Sequence, residues 1–115
     1  MFFDNIKLKS YNHKLTKKQI VSIADYMKAM DYAHITIVKQ ENGEYTYGME
    51  IENQVASSTC LKLSYEEVVN ILNNVREMVD CEKIQITQTP GPIGITTKIT
   101  TNKIDNVDVT DYSCW

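Results

Sequence analysis

The chain has 115 residues, a formal net charge of −3 and a hydrophobic content of 43%. This length supports one core, so we interpret residues 1–115 as a single globular domain and exclude a disordered chain. No stretch approaches the roughly 20 apolar residues that span a bilayer, and the segment Met1–Lys7 lacks the basic flank of a signal peptide. We therefore expect a cytoplasmic protein without a membrane partner.

The basic residues are eleven lysines and a single arginine, Arg76. Arginine supplies the planar fork that grips phosphates and base edges. The sequence shows no basic cluster, and its isoelectric point lies near 5.3. We therefore expect no direct binding to nucleic acid.

The first elements in chain order are a strand and a helix. Alternating residues predict a strand over Asp4–Ser10, and Tyr11–Leu15 is interpreted as a connection. Thr16 and Gln19 form a capping box, in which each side chain bonds to the backbone of the other residue. The apolar residues that follow recur at helical spacing, which predicts a helix from Lys17 to about residue 31.

A hairpin is predicted next, because Asn42-Gly43 is a strong turn signal. Strands over His34–Lys39 and Tyr45–Glu52 flank this turn. A two-residue turn would place Ile37 and Tyr47 on opposite faces of the hairpin. Either the loop has an odd number of residues or both faces are buried, and we favour the odd loop.

The second half of the chain repeats this order. Ser64 and Glu67 form a second capping box, and an apolar stripe runs from Val68 to Val79. The segments Lys83–Gln88 and Ile95–Thr101 are predicted strands, joined by a loop that contains glycine and proline.

We interpret the two halves, about 15–53 and 63–101, as an internal pseudo-repeat with an offset of 48 residues. A C-terminal tail, 102–115, contains a further strand that begins at Val107. The predicted order is β-αββ-αββ, an α+β fold with two helices packed on one face of an antiparallel sheet. Its first six elements resemble the ferredoxin-like topology, with an extra C-terminal strand.

No catalytic signature is recognisable, so we expect a binding protein and not an enzyme. The contact candidates are Glu44 and Glu50 in an acidic hairpin, with Tyr47 and Trp115, because tyrosine and tryptophan are favoured interface anchors. The expected partner is a host protein, with this chain acting as a phage or mobile-element inhibitor of a host defence factor. The terminal tryptophan and the uncovered strands also indicate a homo-oligomer.

The alternative is an oligomeric protein that holds a nucleotide-like ligand on the loop Thr89–Thr97. Its glycines allow close approach of the backbone, and its threonines supply hydroxyl groups. The loop lacks the lysine of a P-loop and precedes a strand, so a stiff hairpin connection is the simpler interpretation. The ligand-binding candidates are Thr89, Gly91, Gly94, Thr96, Thr97 and Lys98, with Arg76 as the phosphate partner.

The three cysteines, Cys60, Cys81 and Cys114, show no paired spacing. We expect reduced thiols that are buried as small hydrophobic groups. A catalytic cysteine would need His13 or His34 beside it. The sequence lacks paired metal ligands two to four residues apart, so we expect neither a metal nor a cofactor.

Overall fold

A computed structural model describes residues 9–48, 56–92 and 94–112. Over these ranges the chain is an α+β protein with two helices and seven strands, all paired antiparallel. This confirms the predicted class. The elements are β1 (Tyr11–Thr16), α1 (Lys17–Met30), β2 (His34–Lys39), β3 (Tyr45–Gly48), β4 (Cys60–Ser64), α2 (Tyr65–Asn74), β5 (Lys83–Pro90), β6 (Ile95–Thr100) and β7 (Val107–Asp108).

Each helix begins directly at the end of a strand. Thr16 and Ser64 are both the last residue of a strand and the N-cap of a helix, with extended φ and ψ angles. In the first capping box, the Thr16 hydroxyl accepts the Gln19 N–H at 3.1 Å, and Gln19 Oε1 accepts the Thr16 N–H at 2.8 Å. In the second, the Ser64 hydroxyl accepts the Glu67 N–H at 3.1 Å. Both predicted helix starts are confirmed.

The strands form two sheets and not the single predicted sheet, in the orders β1-β5-β6-β7 and β3-β2-β4. The strand before α1 therefore pairs with the second half of the chain, and the strand before α2 pairs with the first half. Leu15 lies opposite Ile84 in one of these pairs, and Leu63 lies opposite Ile35 in the other. The two halves are interlocked, because each sheet takes one strand from the other half.

The core lies where the two sheets and both helices meet. Apolar residues recur at helical spacing on α1 and α2 and on alternate positions of the strands, which places them on one side of each element. Each fully buried aliphatic side chain contributes about 1.5–3 kcal/mol. The least exposed are Leu15, Ile20, Ile23, Met27, Ile35, Ile37, Leu61, Leu63, Ile71, Ile84, Ile86 and Ile99.

Two strands correct the sequence prediction. The segment Tyr11–Leu15, predicted as a connection, belongs to β1, where the alternate residues His13 and Leu15 are buried. The strand β4 was not predicted, because it has only five residues, with Leu61 and Leu63 as its single alternating apolar pair, and it ends at the N-cap of α2. The predicted strand Asp4–Ser10 lies outside the described residues up to position 8, and Lys9 and Ser10 are not in a strand. The exact order of elements and the ferredoxin-like arrangement are therefore not confirmed.

The predicted odd loop of the first hairpin is confirmed. Ile37 pairs with Tyr47, and five residues, 40–44, connect the two strands. Gly43 has a φ of 86°, a conformation that glycine adopts without steric cost. Ile37 and Tyr47 consequently share one face of the sheet.

The linkers that follow the two helices differ in length. Three residues, 31–33, connect α1 to β2, whereas eight residues, 75–82, connect α2 to β5. The predicted apolar stripe from Val68 to Val79 thus extends past the end of α2. Val75 and Met78 are buried from within the longer linker, and Val79 is exposed.

A buried amide joins the two sheets. Gln88 in β5 is only 1% exposed. Its Nε2 donates to the Lys62 carbonyl at 2.5 Å, and its Oε1 accepts the Lys62 N–H at 3.1 Å. Nε2 also donates to the Thr97 hydroxyl at 3.2 Å. The side chain therefore takes the place of a neighbouring strand along the free edge of β4.

A buried histidine makes a corresponding link beside β1. His13 Nε2 donates to the Ser57 carbonyl at 2.8 Å, and Nδ1 accepts from the Tyr45 hydroxyl at 3.3 Å. The Tyr45 oxygen accepts the Lys14 N–H at 3.3 Å. These bonds assign the proton of a neutral ring to Nε2. Burial lowers the pKa of His13, against the opposing effect of the Ser57 carbonyl, and so favours the neutral form.

We expect Gln88→Leu to lower the free energy of unfolding by about 2–4 kcal/mol, because it removes the partners of the Lys62 N–H and carbonyl. Urea unfolding measures the change. The matched control is Gln85→Leu on the same strand, where the side chain is half-buried, and we expect it to cost less than about 1 kcal/mol. Equal losses in the two variants would contradict the bridging role of Gln88.

Candidate functional site

Three tyrosines meet where the end of α1 lies beside the edge strand β3. The Tyr26 ring contacts the Tyr47 ring at a centroid distance of 5.3 Å and the Tyr32 ring at 5.8 Å, both edge to face. Met30 follows Tyr26 by one helical turn and is 49% exposed, and Tyr47 is 39% exposed. We call Tyr26, Met30, Tyr32 and Tyr47 the tyrosine surface.

The end of α1 brings Tyr32 to this surface. Asp31 adopts a left-handed conformation with a φ of 58°, which stops the helix and reverses the chain. The Tyr32 N–H then donates to the Met27 carbonyl at 2.9 Å. This turn holds Tyr32 against the ring of Tyr26, so three rings from separate elements form one patch.

The structure places two of the four predicted contact residues. Tyr47 belongs to the tyrosine surface, and Glu44 is exposed at the end of the adjoining loop. Glu50 and Trp115 lie outside the described residues. Sequence reasoning missed Tyr26 and Tyr32, since no local pattern indicates that a helical tyrosine contacts a strand some twenty residues away.

The predicted ligand loop is a tight connection between β5 and β6. The Gly91 N–H donates to the Gly94 carbonyl at 2.8 Å. The Thr89 hydroxyl is hydrogen-bonded to the Ser10 hydroxyl at 2.7 Å, and Thr97 is fully buried. These groups, which the ligand prediction needs for a bound molecule, already have partners within the fold.

The remaining ligand candidates do not converge. Thr96 is half-buried in β6, and Lys98 is exposed opposite Asp108. Arg76 lies in a groove with Thr101, at the other end of β6 from the loop. Six strand residues span about 20 Å, so the structure does not bring Arg76 to the loop.

An open cleft of about 640 Å³ lies between the C-terminal end of α1 and the N-terminal end of α2. Its volume falls within the usual range for ligand pockets. Tyr32 lines the cleft and also belongs to the tyrosine surface, so the two features are continuous. The titratable side chains that line the cleft are Lys28, Asp31, Tyr32, His34, Tyr65, Glu66 and Asp111.

Strand pairing assembles one side of the cleft. His34 at the start of β2 lies opposite Ser64 at the end of β4. The Tyr65 N–H donates to the Ala33 carbonyl at 2.9 Å. The start of α2 is thereby fixed against the end of the linker that follows α1, which no sequence motif indicates.

The C-terminal tail brings Asp111 to the opposite side. The Val109 N–H donates to the Thr97 carbonyl at 2.9 Å, and the Thr97 N–H donates to the Thr110 hydroxyl at 2.8 Å. The Asn70 amide donates to the Val109 carbonyl at 3.2 Å. These bonds fix the tail to both β6 and α2 just before Asp111.

A buried carboxyl group lies next to the cleft. Glu67 is 7% exposed, and its Oε1 accepts the Ser64 N–H at 2.9 Å. Burial raises the pKa of Glu67, and this effect exceeds the opposing effect of hydrogen bonds from Thr97, Ser64 and Asp111. Ionisation of Glu67 therefore costs more in the folded protein than in the unfolded chain.

The raised pKa of Glu67 predicts that its contribution to the free energy of unfolding decreases as the pH rises above 4.5, the ordinary pKa of the group. The unfolded chain releases the proton first, so the folded state holds more protons and is disfavoured by rising pH. Glu67→Gln keeps an acceptor for the Ser64 N–H but cannot ionise. Urea unfolding from about pH 4 to 7 should show the variant gaining stability relative to the wild type.

The matched control is Glu66→Gln. Glu66 is the exposed neighbour of Glu67, so this substitution also removes one carboxylate but leaves the buried one unchanged. A stability difference between Glu67→Gln and the wild type that stays constant with pH would contradict this assignment.

The structure describes two of the three cysteines, Cys60 and Cys81. Cys60 is buried, and burial raises the pKa of its thiol, which lowers its thiolate fraction. Cys81 is exposed, so the prediction that it is buried is wrong, and Cys114 lies outside the described residues. His13 uses both ring nitrogens in the bonds to Tyr45 and Ser57. Within the same ranges, no group of three His, Cys, Asp or Glu side chains could hold a metal ion.

Comparisons with protein-family models, curated proteins and solved structures give no match for this chain. Neither α1 nor α2, the helices of the described ranges, is long and apolar enough to cross a membrane. The functional proposal therefore depends on the geometry of the tyrosine surface and the cleft.

Proposed function

We propose that this protein is a small, non-enzymatic binding protein that acts through protein–protein contacts. The observation that carries the proposal is the tyrosine surface, with ring centroids 5.3 and 5.8 Å apart. Tyrosine offers a large apolar contact at a small cost in side-chain entropy, and its hydroxyl tolerates water before the partner binds. Contact between the rings already restricts their motion, so binding a partner costs little further side-chain entropy.

The edge strand β3 supports the same conclusion. Among the described residues, β3 has a neighbouring strand on one side only. An open edge presents backbone N–H and carbonyl groups with which a strand of another protein can pair. Glu44 would lie at the polar rim of such a contact, and Tyr47 would lie within it.

The biological setting is a proposal from composition. We propose a host protein as the partner and the cytoplasm as the location, with this chain acting as a phage or mobile-element inhibitor of a host defence factor. The support is a small acidic chain with eleven lysines, one arginine and no catalytic motif. Association of two copies through the tyrosine surface is the second mode of contact that we propose.

The test is capture from a lysate of the native host with tagged wild-type protein, followed by mass spectrometry. We expect a captured host protein to bind Tyr47→Ser at least about tenfold more weakly, because the substitution removes an interface anchor. Titration calorimetry with the purified partner measures the affinity. The matched control is Val79→Ser, which alters an exposed apolar side chain in the linker that bonds to the opposite end of α1 through Lys17.

Equal affinity of the wild type and Tyr47→Ser for that partner would contradict the proposed surface. Light scattering distinguishes the second mode, since a dimer that Tyr47→Ser dissociates indicates contact between copies. A nucleotide that raises the melting temperature would instead support the ligand alternative. In that case, Lys98→Ala should remove the rise.

We also propose that the two halves are copies of one βαββ unit that exchange their first strands. Equivalent backbone bonds support this proposal. The Lys17 N–H at the start of α1 donates to the Glu82 carbonyl at 3.0 Å, and the Tyr65 N–H at the start of α2 donates to the Ala33 carbonyl at 2.9 Å. Each acceptor immediately precedes the second strand of the other half.

This proposal predicts that the fragments 1–55 and 56–115 do not fold as separate monomers, because each lacks the strand that completes its sheet. Mixing them should restore the native amide spectrum in nuclear magnetic resonance. A single fragment that unfolds cooperatively as a monomer would rule out the exchanged arrangement.

A further inference from the structure

We call the places where α1 and α2 begin, with the linkers that face them, the two junctions. Both have the same kind of backbone hydrogen bond, but different side chains and linkers cover them. At the start of α1, the Lys17 ammonium donates to the carbonyls of Arg76 at 2.7 Å and Met78 at 2.8 Å. Both acceptors belong to the eight-residue linker that follows α2. A cationic side chain and a long linker thus close this junction from within the chain.

The junction at the start of α2 lacks both of these features. Tyr65 is the first helical residue there, as Lys17 is at the start of α1. The linker that faces it has only three residues, Asp31–Ala33. The cleft of about 640 Å³ is the space that remains. Its position corresponds to the place where the other junction holds an ammonium group.

The charged side chains of the cleft also favour a cationic group. The carboxylates of Asp31, Glu66 and Asp111 line it together with the ammonium of Lys28 and the imidazole of His34, so acidic side chains outnumber basic ones. An anion would meet three like charges, whereas a cation would meet three opposite ones. Tyr32 and Tyr65 supply aromatic rings, which attract organic cations.

We propose that the cleft binds a lysine or arginine side chain of the partner protein. This inference rests on the proposed function and names the chemistry of the partner. A protein is favoured over a free amine because Tyr32 joins the cleft to the tyrosine surface. An anchored basic side chain would therefore extend a contact that already covers Tyr26 and Tyr47.

The test uses the peptide acetyl-Gly-Arg-Gly-amide, titrated into the full-length protein and followed by ¹H–¹⁵N nuclear magnetic resonance. We expect saturable shifts of the amide signals of Tyr32, Tyr65 and Glu66. The matched control peptide carries citrulline, which keeps the shape of arginine without its charge. Equal shifts with both peptides, or shifts confined to other parts of the chain, would overturn the inference.

Two variants test the carboxylates directly. Glu66→Gln and Asp31→Asn each remove one charge, and asparagine tolerates the left-handed conformation of position 31. We expect each to weaken binding of the arginine peptide about two- to fivefold, and the double variant about tenfold. The control is Glu77→Gln, which removes an exposed charge in the other linker and should leave the affinity unchanged. An unchanged affinity in the double variant would also overturn the inference.

The captured host protein separates this inference from the proposed function. If Tyr47→Ser weakens its binding and the double variant does not, the protein contact stands and the cleft inference fails. If no host protein is captured and the arginine peptide still binds at the cleft, the cation site stands and the proposed function fails.

Discussion

The pairing of each helix-preceding strand with the opposite half of the chain constrains the rest of the structure. Each of these two strands keeps one free edge, and a side chain from the other sheet bonds to one residue of that edge. The Tyr45 hydroxyl accepts the Lys14 N–H of β1, and the Gln88 amide bonds to Lys62 of β4. The bonds to Lys62 are partly buried, where a backbone group without a partner costs up to about 1–3 kcal/mol, whereas the bond to Lys14 is exposed. These side chains therefore allow two sheets to meet without a continuous ladder between them.

The elements that sequence reasoning predicted well depend on local signals. The capping boxes fix both helix starts, helical spacing fixes α1, and alternation with turn residues fixes β2, β5 and β6. The missed strands carry weaker local signals: β4 has only five residues and ends at the N-cap of α2, and His13 puts a polar side chain on the buried face of β1. In a sequence pattern, histidine counts as a polar residue. The burial of His13 is explained only by its hydrogen bonds to Tyr45 and Ser57, which depend on the fold.

The candidate site was predicted only where one segment contains it. Glu44 and Tyr47 belong to a single hairpin, so composition and alternation identified them. The cleft joins the linker after α1, the start of α2 and the tail at Asp111, which are distant in sequence and meet only through strand pairing. The one feature of the sequence that could have indicated the cleft is linker length, because three residues, 31–33, cover less of a helix start than the eight residues 75–82.

The two halves differ most where a surface is left open. Ile37 pairs with Tyr47 in the first hairpin, and Ile86 pairs with Ile99 in the second, so Tyr47 and Ile99 each lie opposite a buried isoleucine of the neighbouring strand. Ile99 is buried, because β7 and the tail cover the outer side of β6. Among the described residues no strand covers β3, and Tyr47 is 39% exposed. The chain itself thus covers β6, whereas β3 presents Tyr47 outward, near the cleft that a short linker leaves open. A partner protein that contacts both features would complete the first half as the tail completes the second.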